Sequence, residues 1–152
     1  MKILEVLQKD TINTDLKSTD KNGIIQEIVD SVSKITGKDS EELVNVIMER
    51  ERLGSTGIGG GIGIPHGKLK NLESLVLGFG LSRKGVDFES MDGRPTHLFF
   101  LILTPEKSTG LHLKLLARIS RILKNDSFKK KLLKATGSNE VYSIIKEIDE
   151  DF

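Results

Sequence analysis

The sequence has 152 residues, of which 37% are hydrophobic and 30% charged, and a formal net charge of +1; this is the balance of a soluble globular domain with a core of its own. No run approaches the about eighteen apolar residues of a membrane span and Met1-Lys2-Ile3-Leu4-Glu5 carries no signal pattern, so a cytoplasmic protein with no direct membrane insertion is expected. Near-neutral charge argues against nucleic acid as a partner, and the absence of cysteine leaves Ser, Thr, His, Lys or carboxylates for any covalent chemistry.

In chain order, Ile3 to Gln8 is read as a short apolar helix and Thr11 to Leu16 as a strand. Ser18, Thr19 and Asp20 offer N-caps to a helix reaching about Thr36, because Ile24, Ile25, Ile28, Val29 and Val32 follow a period near 3.6. Gly37 suits its C-terminal cap. Asp39 followed by Glu42 resembles a capping box, and Leu43, Val46 and Ile47 give the next helix an apolar face through about Arg52. Gly57 to Gly63 holds five glycines in seven residues and is expected to expose its backbone.

Strands are then predicted over Leu75 to Leu81, near Val86 to Phe88, and over Thr96 to Leu103. The last is apolar on both faces, which marks a central buried strand, and Met91 to Pro95 has the residue types of a turn. Three helices follow, Thr109 to Leu123, Asp126 to Ala135 and Ser138 to Ile148. Lys114, Arg118 and Arg121 share a helical face, read as solvated, with an acidic docking partner as the alternative. Strands between two groups of helices imply a layered α/β sandwich around a mixed sheet. No repeat or Pro/Ser-rich linker divides the chain, so residues 1–152 are expected to form a single domain.

The segment from Gly54 to Lys68 is where chemistry is expected. Ile62 stands where a Walker A loop before Gly67-Lys68 needs its first glycine, and a dinucleotide fingerprint begun at Gly57, Gly59 or Gly61 ends on Ile62, Ile64 or His66. Neither nucleotide is supported, so no cofactor is expected. The glycine-rich turn still offers backbone N–H groups to an anion and leads to His66. Pro65 fixes the chain before that residue and Gly67 removes bulk after it, presenting a neutral imidazole that can accept a phosphoryl group and release it.

His112 falls in the first turn of a predicted helix, off the stripe of Leu115, Leu116 and Ile119; it is either a surface residue or a group that helps hold a phosphoryl anion at the helix N-terminus. His97 opens the buried strand and is read as structural. Arg50 and Arg52 close the helix before the glycine stretch, and either suits its C-terminal dipole or an incoming phosphoryl group. The three histidines form no i, i+4 pair and no His-Glu-x-x-His motif, so no metal is expected.

Glu49-Arg50-Glu51-Arg52, Ser55 to Gly59, Ile62 to Lys68, and Leu111-His112-Leu113 with Leu115-Leu116 together resemble the IIA domain of the fructose/mannitol and nitrogen-regulatory class of the bacterial phosphoenolpyruvate-dependent phosphotransferase system. The resemblance covers nearly the whole chain. It implies a three-layer α/β/α sandwich with a central mixed β-sheet, His66 as the phosphorylated residue, His112 as a second active-site histidine and Arg50 as the site arginine. It implies a phosphoryl donor in the phosphocarrier protein HPr or a paralogue, and as acceptor a sugar-specific EIIB domain or, alternatively, a regulatory protein target. Gly60 and Gly63 stand where members often have Asn and Ala, a departure that touches the loop and leaves the reactive group unchanged.

Overall fold

The computed structural model describes residues 2–150. A 3₁₀ turn at Ile3–Glu5 leads into β1 (Leu7–Asn13), followed by α1 (Lys21–Thr36) and α2 (Ser40–Arg52). Three short strands come next, β2 (Gly57–Gly59), β3 (Ile62–Gly63) and β4 (His66–Leu69), then the long β5 (Val76–Val86) and β6 (Thr96–Pro105). The chain ends in α3 (Thr109–Ile122), α4 (Asp126–Lys134) and α5 (Ser138–Glu150). Among the described residues no helix is long and apolar enough to cross a membrane.

The sheet runs in the order β1-β5-β6-β3-β2, with β4 pairing with β6 as well. β1 is parallel to β5, β5 antiparallel to β6, and β3 and β4 parallel to β6, so the sheet is mixed. β6 is buried on both faces, as its unbroken apolar run predicts. Leu98, Phe100 and Ile102 join the core beneath α3, α4 and α5, while Phe99, Leu101 and Leu103 join the core beneath α1 and α2. The result is the expected three-layer α/β/α sandwich.

The caps at the two ends of α1 form as predicted. Asp20 accepts from the Gly23 N–H at 2.7 Å, and Gly37 adopts φ 70°, the left-handed conformation that glycine takes without strain. Close approach of α1 to the sheet depends on Gly78 and Gly80 in β5. A Cβ on either would stand 2.9 Å from a methyl carbon of Val32 or Ile28, nearer than packed carbons tolerate.

Several expectations are corrected. The N-terminal helix is a single 3₁₀ turn and the strand begins at Leu7, because buried Asp149 of α5 accepts the N–H groups of Ile3 and Leu4, each at 3.1 Å. The strand pieces at 75–81 and 86 are one strand, β5, with an irregular register between Leu81 and Val86. Asp39 precedes α2 but makes no side-chain capping bond; it is exposed, and water competes for its carboxylate. The glycine-rich stretch is the β2–β3 hairpin, with Gly57, Ile62 and Gly63 buried.

Candidate functional site

His66 opens β4 and is half-buried, between buried Pro65 and buried Gly67. The Pro65 carbonyl accepts from the Ile102 N–H at 2.9 Å, which ties the histidine to the central strand. Gly67 has a packing role besides the absence of bulk beside His66. A Cβ there would lie 2.6 Å from Val46 Cγ1, so the glycine is needed for α2 to close on β4.

The ring's Nδ1 lies 2.8 Å from the Ile64 carbonyl oxygen. A carbonyl only accepts, so Nδ1 carries the hydrogen and the neutral ring keeps its lone pair on Nε2. Burial lowers the His66 pKa; the Ile64 bond opposes this, and the charges of Arg50 and Lys68 reinforce it. The imidazole is therefore an unprotonated nucleophile near neutral pH.

His112 stands beside it, the ring centroids 5.1 Å apart and the planes at 62°. Contrary to the surface reading, it is only 5% exposed. His112, Leu115, Ile119 and Ile122 are the buried residues of α3, a 3-4-3 spacing that the chosen stripe of Leu115, Leu116 and Ile119 passed over. Its Nδ1 is 3.0 Å from Thr104 Oγ1 on β6. Burial first, then the neighbouring charges of His66 and Lys68, push its pKa down to about 4.

Between Arg50 and Arg52 the geometry discriminates. Half-buried Arg50 lines the same cavity as the two histidines and donates from Nη1 to the Gly54 carbonyl at 2.9 Å, whereas Arg52 is exposed and lies outside the lining. Adjacent Glu51 is buried; it accepts from the N–H and hydroxyl of Thr56 and pairs with Lys21 at 2.8 Å, fixing the chain where α2 ends. Lys68, the last residue of the Ile62–Lys68 motif, reaches the first turn of α3, where its Nζ donates to Thr109 Oγ1 at 3.1 Å. The cavity measures about 530 Å³ and is lined by Val46, Arg50, His66, Lys68, His112 and Leu113 among others. A nucleophilic nitrogen, a guanidinium, an ammonium and the N-terminal turn of a helix thus meet at one opening, an arrangement suited to a transferred anion.

A family model described as "Phosphoenolpyruvate-dependent sugar phosphotransferase system, EIIA 2" matches residues 5–148. The chain belongs to this family. Relatives of this EIIA chain carry both sugar-transport and regulatory names. A nitrogen regulatory protein of Bradyrhizobium diazoefficiens is 38% identical over 145 residues, covering 95% of each chain. The fructose-specific EIIABC component of Bacillus subtilis is 40% identical over 152 residues, which are 99% of this chain and 24% of that one. Among solved structures, nitrogen regulatory protein IIA-Ntr of Neisseria meningitidis superposes with a TM-score of 0.88 at 29% identity, covering 93% of this chain and 97% of the other.

Three features noted in the sequence lie away from the cavity of the EIIA chain. The Gly60 N–H donates to Asp92 at 3.0 Å and the Gly61 carbonyl accepts from His97 and Leu98, so these glycine-hairpin groups serve the fold and are not directed at His66. His97 lies five residues along β6 from Ile102, the residue paired with His66, roughly 16 Å away at strand rise. Its Nδ1 donates to the Ser82 carbonyl at 2.9 Å. Arg118 leaves the solvated face assigned to it and bonds Asp149 through Nε and Nη2, each at 2.8 Å.

Proposed function

We propose that this chain, acting as one domain, accepts a phosphoryl group on His66 from phospho-HPr or a paralogous carrier and passes it to an EIIB domain. One observation carries the reading: Nδ1 of His66 is committed to the Ile64 carbonyl, which leaves Nε2 as the nucleophile in a cavity shared with Arg50, Lys68 and His112. In the step proposed, the Nε2 lone pair attacks phosphorus while the bond from phosphorus to the donor's imidazole nitrogen breaks and its electron pair returns to the donor. The Nδ1 hydrogen stays in place, and the Ile64 carbonyl stabilises the positive charge the ring acquires. Arg50 and Lys68 offset charge on the phosphoryl oxygens, and His112 donates a hydrogen bond to one of them.

The mouth of the cavity supports a protein as donor and acceptor. Leu53 is 85% and Leu113 59% exposed at its rim, apolar surface that a macromolecular partner would cover. A second reading draws support from the Bradyrhizobium relative, a nitrogen regulatory protein by name that is matched over 95% of both chains: the phosphorylation state governs a regulatory protein target. The two readings share the chemistry and differ in the acceptor.

Phosphorylation from phosphoenolpyruvate through the upstream carriers, followed by mass spectrometry at neutral or basic pH, tests the assignment. The group should sit on His66, and His66→Ala should accept none. His112→Ala should still load His66 but pass the group on roughly ten- to a hundredfold more slowly. Phosphate on His112 or His97 of the unmutated protein would overturn the reading. Rapid loss of the group to EIIB, set against unchanged occupancy and phosphorylation-dependent capture of a regulatory target, separates the two acceptors.

A further inference from the structure

We propose that Thr104 is a positioning residue for this reaction: its hydroxyl donates to Nδ1 of His112 and so holds that imidazole as the tautomer with its hydrogen on Nε2, beside His66. The inference rests on the phosphocarrier reading and assigns a role to a residue on the strand beneath the site. Thr104 is fully buried on β6, and its Oγ1 has two polar neighbours, His112 Nδ1 at 3.0 Å and the Gly67 carbonyl oxygen at 3.4 Å. The hydroxyl has one hydrogen to give. A separation of 3.4 Å lies beyond the usual range for O–H···O, about 2.5 to 3.0 Å, whereas 3.0 Å suits a hydroxyl donating to a ring nitrogen.

The choice has a chemical consequence at the phosphoryl group. A neutral imidazole carries one N–H, so the nitrogen that accepts from Thr104 decides where that hydrogen resides. With Nδ1 accepting, Nε2 presents a donor to a phosphoryl oxygen on the neighbouring His66. Were the hydroxyl turned to Gly67, Nδ1 would donate to Oγ1 and Nε2 would present a lone pair, repelling the same oxygen. The depressed pKa of His112 keeps the ring neutral, the state in which the tautomer matters.

The test uses the full chain with its histidines labelled with ¹⁵N, read by NMR at pH 7.5, alongside phosphoryl transfer through the upstream carriers. In the unmutated protein the His112 spectrum should show hydrogen on Nε2 and none on Nδ1. Thr104→Val, close to threonine in shape, should lose that fixed pattern and still accept phosphate on His66. It should pass the group on about three- to tenfold more slowly, the effect of one hydrogen bond. Thr104→Ser should restore both pattern and rate, which a role confined to packing would not. Hydrogen on Nδ1 of unmutated His112 would overturn the inference even if Thr104→Val failed to fold, and so would a Thr104→Val protein with unchanged tautomer and rate. Failure of the unmutated protein to take phosphate on His66 would instead sink the phosphocarrier reading, with the tautomer measurement still testing the Thr104 bond.

Discussion

Replacing Gly67 by Ala tests how the histidine is held. The added methyl carbon would lie 2.6 Å from Val46 Cγ1, 3.5 Å from Ile47 Cδ1 and 3.7 Å from the Val46 carbonyl carbon. Packed carbons prefer about 3.5 to 4.0 Å, so roughly 1 Å of separation must be found. Val46 is β-branched and stiff at χ1 in a helix, so α2 itself has to move, carrying Arg50 with it. Overpacking of this kind costs about 1–3 kcal/mol. At a urea dependence of about 1.5 kcal/mol per molar, the unfolding midpoint should fall by about 1 M, and loading of His66 should slow as Arg50 is displaced. Val46→Ala removes the opposing methyl groups, so Gly67→Ala with Val46→Ala should be more stable than the sum of the single effects by at least about 1 kcal/mol. Strict additivity in urea unfolding, or a Gly67→Ala protein as stable and active as the parent, would show that α2 does not rest on this glycine.

Arg50→Ala should fold and slow phosphoryl transfer by roughly one to two orders of magnitude, the loss of one or two charge-assisted bonds, while Arg52→Ala leaves it unchanged; the opposite pattern would move the role to Arg52. Asp149→Asn keeps the shape but turns a donor towards groups that now donate to the carboxylate, the Ile3 and Leu4 N–H groups and Arg118, so stability in urea should fall by about 3 kcal/mol; a change under 1 kcal/mol would mean the N-terminal turn is held elsewhere. Both site histidines have lowered pKa values, His112 to about 4 against an ordinary 6.5. Between those limits the unfolded chain binds protons that the folded protein refuses, so stability should fall as pH drops from about 6.5 towards 4. His112→Gln should flatten part of that slope, and an unchanged slope would remove burial of His112 as its cause.

Local signals in the sequence were reliable where local chemistry decides the outcome. The Asp20 cap, the Gly37 stop, the period of α1 and the two-faced run of β6 each depend on residues within one element. Part of what could not be read depends on residues far apart in the chain. The first turn is fixed by Asp149, some 146 positions away, and apolar periodicity near Ile3 therefore suggested a longer helix than forms. The Ile64 carbonyl that fixes the His66 tautomer is only two residues away, yet residue types alone do not show which way the ring turns. For His112 the signal was present, in its spacing to Leu115, Ile119 and Ile122, but assigning the helix a stripe through Leu116 concealed it. Thr104 carried no pattern of its own and Lys68 none beyond the Ile62–Lys68 motif, and β4 and β6 lying side by side in parallel bring the two together.

That pairing explains why the site draws on every layer of the sandwich. Arg50 comes from α2 on one side of the sheet, His112 from α3 on the other, and His66 and Lys68 from β4. β4 is short and pairs with β6 from His66–Ile102 to Leu69–Pro105, so both helical layers reach the same histidine across a strand only four residues long. The cation and the second imidazole approach from opposite sides, one through the Gly67–Val46 contact and the other through Thr104. A phosphoryl group on Nε2 would then meet donors already fixed in position, so little reorganisation would accompany its arrival or departure. This is the condition a carrier has to satisfy, because an anion held much more tightly than it is received could not be passed on.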